Sequence, residues 1–290
     1  MKNKFLRYTV FTLGSLLLLL LIFYAVVYFN TESRINKTYT VSEEILLIPT
    51  DSASYIAGKH IAENRGCLGC HGDHLQGGRA FLEEASPLGV LYAANITAGR
   101  GGINYTDEDW IRVLRHGLRK DHRSAWFMPS QDIYQLSKEQ LGQLISFVKK
   151  QPPVDNTVPA KSLKPLGRLL TFLHKYPLLP AEMIDHNAVA KDVITPGVTV
   201  AYGSYLATTC RGCHGKNMKG GPAHAPNDPP IPDISSTGHP GKWQAAGFIT
   251  AIRTGKTPEG KQLSDAMPWR HLTFTDDELK AVLMYLQQVK

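Results

Sequence analysis

The sequence predicts an all-α protein, with one membrane-spanning helix followed by two tandem, mainly helical units of the same plan. Three observations carry this expectation. Residues 8–31 contain no charged side chain, a set of motifs in residues 32–155 recurs in residues 197–290, and the apolar residues of both copies follow helical spacing with no convincing run of period-two alternation.

The apolar run "VFTLGSLLLLLLIFYAVVYF" matches the ~20 residues a helix needs to cross a bilayer. Lys2, Lys4 and Arg7 precede it, and positive charge ahead of a first hydrophobic segment keeps the N-terminus in the cytoplasm. Everything after about residue 32 is then expected on the periplasmic side of the inner membrane. A cleaved signal peptide is the alternative. The run is longer than a usual signal core, and "AVVYFNTES" offers no clear small-x-small cleavage site, which favours a single-pass anchor over residues 1–31. The net charge of +7 is scattered, without a dense basic stretch interleaved with aromatics. Together with export, this argues against nucleic acid and for a solvated surface facing acidic proteins or anionic headgroups.

The internal repeat is detailed. Ahead of each Cys-x-x-Cys-His triplet is a short helical run, "GKHIA" from Gly58 and "GSYLA" from Gly203, and after each comes a glycine pair, Gly77-Gly78 and Gly220-Gly221. Then follow "NIT" at 95–97 and "DIS" at 233–235, the amphipathic runs "WIRVLRHG" and "FITAIRTG", and a Met-Pro pair, Met128-Pro129 and Met267-Pro268. Each copy closes on a helix opened by a capping box, Ser137-x-x-Gln140 and Thr275-x-x-Glu278. Apolar residues at Leu141, Leu144, Ile145 and Val148, and at Leu279, Val282, Leu283 and Leu286, mark one buried face of each. Residues 156–196 read as a proline-punctuated connector with one short helix near 166–174, which either packs on a unit or lies against the membrane.

All four cysteines, Cys67, Cys70, Cys210 and Cys213, belong to "CLGCH" and "CRGCH", so none remains for a structural disulfide. At a helix start the two thiols lie one turn apart on one side and the histidine follows at once. That geometry suits addition of the thiols across the two vinyl groups of a haem, with His71 or His214 ligating the iron. A thioredoxin-like pair would need a strand-rich sheet. A single zinc site would have to gather pairs that stand in separate, complete repeats.

On the far side of each iron the expected ligand is a methionine, Met128 or Met267, a soft donor that raises the reduction potential and suits electron transfer. Core filling is the ordinary role of a methionine, and Met218, whose counterpart is Leu75, illustrates it. Met1, Met183 and Met284 have no counterpart in a ligand-like position. His60, His74, His116, His122, His174, His186, His224, His239 and His271 are expected to be surface or hydrogen-bonded imidazoles. His116 and His122 are the replacements if Met128 is not a ligand, and His271 if Met267 is not. Asn95, Thr97, Arg100, Asp233 and Ser235 either order a loop or bond haem propionates, and Trp110, Trp126, Trp243 and Trp269 either wall the haem or fill the core.

Through "GCLGCHG", "NIT", "YTDEDWIRVLRHG", the Met-Pro pairs, "LSKEQLGQLISFVKKQPPVDNTVP", "CRGCHG", "AMPW" and "FTDDELKAVLMYL", the chain from about Ser52 to Lys290 resembles membrane-anchored, multi-haem class I cytochromes c. It is similar to the cytochrome subunits of bacterial membrane-bound alcohol and gluconate dehydrogenases. The resemblance implies two tandem class I cytochrome c domains carrying two covalently bound haems c, on Cys67, Cys70, His71 and Met128, and on Cys210, Cys213, His214 and Met267. Those subunits usually have three haem domains and often lack a long N-terminal hydrophobic segment. The function expected is a tethered carrier of single electrons between redox protein partners, whether a membrane dehydrogenase, a respiratory complex or a terminal oxidase, with no small-molecule substrate. The alternative is a di-haem enzyme such as a peroxidase with one open haem site. A thiosulfate-oxidising haem with a distal cysteine would need a fifth cysteine.

Overall fold

The computed structural model describes residues 2–188, 194–223 and 229–290. Met1 and His224 lie outside the described residues, as does part of the connector. Helix α1 (Lys2–Asn36) contains the apolar run, and nearly all its side chains from Phe5 to Phe29 are exposed. It is the one described helix long and apolar enough to cross a membrane.

The first helical unit comprises α2 (Ser52–Asn64), α3 (Cys67–His71), strands β1 (Ala80–Leu82) and β2 (Gly89–Tyr92), α4 (Asp107–His116), α5 (Ser130–Ile133) and α6 (Lys138–Lys149). The connector contributes β3 (Ser162–Leu163) and α7 (Pro165–Phe172), and the second unit holds α8 (Val200–Leu206), α9 (Arg211–His214), α10 (Ala245–Thr254) and α11 (Asp276–Leu286). Both expected capping boxes form. The Ser137 and Thr275 hydroxyls accept from the amides of Gln140 and Glu278, whose side chains bond back to the cap amides. Thr106 and Asp109 form a third at the start of α4.

In each unit the first and last helices cross at a glycine. A Cβ built on Gly58 would stand 1.9 Å from the Gln143 carbonyl oxygen, and one on Gly203 would stand 1.9 Å from that of Ala281. Only hydrogen fits there, so α2 closes on α6 and α8 on α11 at backbone distance. Ala62, Leu75, Leu141, Leu144 and Ile145 fill one core beneath the first crossing, and Leu206, Met218, Leu279, Val282 and Leu286 fill the other. Leu75 and Met218 are both fully buried with φ near +57°, which confirms the pairing read from the repeat and the packing role of Met218.

The all-α expectation is corrected by a three-stranded antiparallel sheet in the order β1-β2-β3. Its strands of three, four and two residues are too short to display an alternation in sequence. A third cluster, Leu82, Leu91, Leu178 and Leu179, packs under it, where the rings of Phe127 and Tyr176 stack at 5.4 Å. The connector is therefore built into the first unit. Val154 and Asn156 bond the Asn95 and Gln76 region, β3 completes the sheet, and the Ser124 hydroxyl accepts the Ala181 amide.

Gly58→Ala gains helix propensity worth about 0.5–1 kcal/mol but forces α2 off α6. The net expectation in urea denaturation is a loss of about 1–3 kcal/mol, the usual cost of overpacking. A variant as stable as the parent would show that the crossing tolerates a methyl group.

Candidate haem-attachment sites

The α2 helix ends at Arg65, and Gly66, at φ +78°, turns the chain directly into Cys67. In the second copy a single 3-10 turn over Ala207–Cys210 does the same work without a glycine. All four thiols are free. Cys67 packs against the first core and Cys210 against the second. Burial pushes the Cys67 thiol up to about 12 and that of Cys210 to about 11, and it raises Cys70 and Cys213 as well. A redox-active cysteine pair needs the opposite, a depressed pKa and ready thiolate. Nor do three or more His, Cys, Asp or Glu side chains converge into a metal cage among the described residues.

Each triplet histidine is oriented by the same bond. His71 Nδ1 lies 2.8 Å from the Ala94 carbonyl oxygen, and His214 Nδ1 lies 2.9 Å from that of Pro232. A carbonyl only accepts, so Nδ1 carries the proton and the neutral ring has its lone pair on Nε2, the tautomer of a metal-ligating imidazole. Burial lowers the His71 pKa despite the opposing bond to Ala94, which favours that neutral form.

The residues after each accepting carbonyl hold it in place. Fully buried Asn95 accepts the Thr97 amide and hydroxyl on Oδ1 and donates Nδ2 to the Val154 carbonyl at 2.7 Å. Asp233 accepts the Ser235 amide at 2.8 Å and the Thr237 hydroxyl at 2.7 Å. These contacts supply the loop-ordering role expected for "NIT" and "DIS". The Arg100 side chain is exposed beside Asp155, and its backbone helps to order the loop, the amide donating to Asp155 Oδ1 at 2.8 Å and the carbonyl accepting the Asn156 amide at 3.0 Å. Gly77 and Gly220, both at φ +69°, run so close to these loops that a Cβ would meet the Ala94 and Ile231 carbonyl oxygens at 2.5 and 2.1 Å.

Met128 is half-buried against the first core and Met267 against the second. The Met128 loop is pinned on both sides. The Phe127 amide donates to the Leu178 carbonyl at 2.8 Å, and the Ser130 hydroxyl donates to the Val113 carbonyl of α4 at 2.9 Å. In the second copy the Trp269 amide bonds the Met267 carbonyl, and the buried indole Nε1 of Trp269 has no partner. Among the described residues nothing accepts from this donor. Among the alternative ligands, His116 engages His186, Nδ1 to Nδ1 at 3.1 Å, with its pKa lowered to about 4 by burial and by His186. His122 sits in a turn at φ +60°, and His271 is exposed. Trp110 is buried and edge-on to Tyr105, whereas the Trp243 indole donates to Glu259.

Sequence reasoning did not foresee that the two triplets share a junction. Arg65, two residues before Cys67, donates to the Tyr205 carbonyl at 3.3 Å, and its guanidinium lies 4.6 Å from the Tyr205 ring centroid. Tyr205 packs against both cores, and the Thr209 hydroxyl, next to Cys210, donates to the Asn64 carbonyl. His60 meets Glu278 at 2.9 Å, and Glu278 also accepts from Tyr202. A cavity of about 160 Å3 lies here, between Ile61, Arg65, Tyr202, Tyr205, Phe274 and Glu278. It is far smaller than a porphyrin and belongs to the join, not to either triplet.

The paired thiols and the Nδ1-anchored histidines fit a covalently attached haem, the arrangement of c-type cytochromes. Comparison with known proteins agrees. Residues 201–286 match the family "Cytochrome C oxidase, cbb3-type, subunit III". The chain resembles the cytochrome c subunits of membrane dehydrogenases. It is 27% identical over 304 residues to the cytochrome c subunit of the quinone alcohol dehydrogenase of Gluconacetobacter polyoxogenes, covering 89% of this chain and 62% of that protein. The corresponding Gluconobacter oxydans (strain 621H) subunit is 27% identical over 272 residues, 82% of this chain and 55% of its own length. The fructose dehydrogenase cytochrome subunit of Gluconobacter japonicus is 33% identical over 115 residues, 37% of this chain and 23% of its own length. The chain thus spans roughly three fifths of the alcohol dehydrogenase subunits it matches.

The junction is expected to respond to pH. The hydrogen bond to Glu278 raises the His60 pKa above its ordinary 6.5 against burial. Burial disfavours the charged Glu278, but the bonds from His60 and the Thr275 amide prevail and hold its carboxyl below 4.5. The His60 contribution is complete below 6.5 and disappears as pH rises through its raised value, whereas that of Glu278 disappears only in acid. Thermal stability should therefore fall as pH rises above 6.5, with a shallower slope in His60→Ala. Equal slopes in calorimetry would remove the pair from the junction's stability.

Proposed function

We propose that the chain is a membrane-tethered di-haem cytochrome that passes single electrons between redox proteins on the periplasmic side of the inner membrane. One observation carries the reading: two Cys-x-x-Cys-His triplets in equivalent settings, each with its histidine Nδ1 tied to a loop carbonyl. In this reading residues 1–31 are the anchor, and residues 32–155 and 197–290 are two class I cytochrome c domains joined by the connector 156–196. A haem bound at each site supplies a one-electron ferric/ferrous couple. Cys67 with Cys70, and Cys210 with Cys213, hold the ring edge. His71 and His214 would offer Nε2 to its iron, Met128 and Met267 would offer neutral thioethers, and the leucine-lined cores would exclude water.

The partner on the donor side is proposed from the relatives: a quinone-linked sugar or alcohol dehydrogenase, with a respiratory complex or terminal oxidase as acceptor. The apolar run of α1 supports tethering, because it keeps the electron-carrying units near membrane partners and raises their effective concentration.

Pyridine haemochrome analysis of the purified protein tests the central claim and should return two covalent haems per chain. The pair Cys210→Ser with Cys213→Ser should return one. Zero haem in the parent, or loss of both haems in the double variant, would contradict two separately loaded sites.

Met128→Ala tests the axial role and separates a carrier from a peroxidase-like enzyme. Loss of the thioether should lower the potential of one haem and let carbon monoxide bind its ferrous form, while the parent binds none. A parent that already binds carbon monoxide favours the enzyme reading, and an unaltered variant spectrum excludes Met128 as a ligand.

A further inference from the structure

Helix α7 carries leucines at 166, 169 and 170, and its C-cap is Leu173, the spacing that places all four in one stripe. Leu166 and Leu173, at the two ends, are 43% and 48% exposed, and Leu169 and Leu170 are half-buried. The remaining faces of the helix are committed. Gly167 is buried so tightly that a Cβ would lie 2.0 Å from the Leu88 carbonyl oxygen, and Thr171 beside it is buried as well. Arg168 and Phe172 turn to α1. Arg168 bonds Thr31 at 3.0 Å and Glu32 at 2.5 Å with its guanidinium 4.3 Å over the Tyr28 ring, and Phe172 sits edge-on to Phe23 with centroids 6.4 Å apart.

The contact with Phe23 sets the depth. Phe23 lies six residues before Phe29, the last apolar residue of the α1 run, or about 9 Å along a helix rising 1.5 Å per residue. If α1 spans a bilayer, a helix touching Phe23 lies below the membrane surface. Tyr24 and Tyr28 mark the aromatic level typical of a membrane interface. Lys175 is exposed just past the stripe, a cation of the kind that pairs with lipid phosphates.

We propose that α7 is an interfacial helix whose Leu166, Leu169, Leu170 and Leu173 stripe is immersed at the headgroup–acyl boundary of the outer leaflet, beside α1. This rests on the reading of α1 as a membrane anchor. Its consequence is orientational. A single spanning helix lets the redox units swing, whereas α1 and α7 together, clamped by Arg34 to Glu182 and Arg168 to Glu32, fix which surface faces the bilayer.

The test uses the full-length haem-loaded protein in proteoliposomes of phosphatidylethanolamine and phosphatidylglycerol. The native cysteines are consumed in thioether bonds, so the parent takes up no thiol-directed nitroxide and Leu173→Cys takes up one. Power-saturation electron paramagnetic resonance then compares relaxation by lipid-soluble oxygen with that by a water-soluble nickel chelate, with Leu19→Cys in α1 and Lys256→Cys on an exposed loop as references. The expected result is an oxygen preference at Leu173 above that at Lys256 and below that at Leu19, which lies about 15 Å beneath Phe29. A nickel preference at Leu173 equal to that at Lys256, with Leu19 still in lipid, overturns the proposal and leaves the anchor standing. A nickel preference at Leu19 overturns the anchor and the proposal together.

Discussion

Each half of this protein depends on a place where two helices meet with no side chain between them. At Gly58 against Gln143, and at Gly203 against Ala281, the helix that leads into a Cys-x-x-Cys-His triplet is held at backbone distance from the helix that ends its copy. Close approach brings more side-chain atoms on either side into dispersion contact, which is where a small core obtains its cohesion. It also fixes the position of the triplet, since Cys67 and Cys210 stand just past the ends of α2 and α8. Had the crossing been spaced by side chains, the thiols and the loop carbonyls would lie in frames free to shift against each other.

The second constraint is polar. A histidine that ligates a metal must present one defined nitrogen, and here the opposite nitrogen is tied to a carbonyl whose loop is itself cross-bonded, by Asn95 to Val154 in one copy and by Asp233 to Ser235 and Thr237 in the other. The two copies reach the same end with different residues. An amide fully buried in the first is replaced in the second by a carboxylate near the surface, which Lys219 also approaches at 3.6 Å. In the first copy Val154 and Asn156, just after α6, cover the loop, and in the second the Val289 carbonyl, just after α11, accepts from the Ser236 amide at 3.0 Å and from its hydroxyl at 2.6 Å.

Much of this was legible in the sequence because it is written locally. The triplets, the capping boxes at Ser137 and Thr275, the apolar face of α6 and the correspondence of Met218 with Leu75 all depend on spacings of a few residues. What escaped were contacts between distant residues. His60 and Glu278 are ordinary polar residues of two helices, and nothing near either announces a partner 218 positions away. Strands of two to four residues leave no periodicity, and β3 exists only because β2 offers it an edge. The short connector helix was visible as a helix, but its neighbour on α1 was not, since that packing follows from Arg34, Arg168 and Phe172 reaching across more than 130 positions.

The way the connector is woven into the first unit bears on the order of events as the chain is made. The carbonyls of Val154 and Asn156, the edge strand at 162–163, the Leu178 carbonyl under Phe127 and the Ala181 amide on Ser124 all arrive after α6 has been completed. Asn95 gains its acceptors within about seven residues of the end of α6, but the Met128 loop lacks its lower support until about thirty have emerged. The first triplet is therefore accessible on a young chain while its surroundings are still open, and the arrival of the connector closes them. A group joined to Cys67 and Cys70 would reach them most readily before that closure.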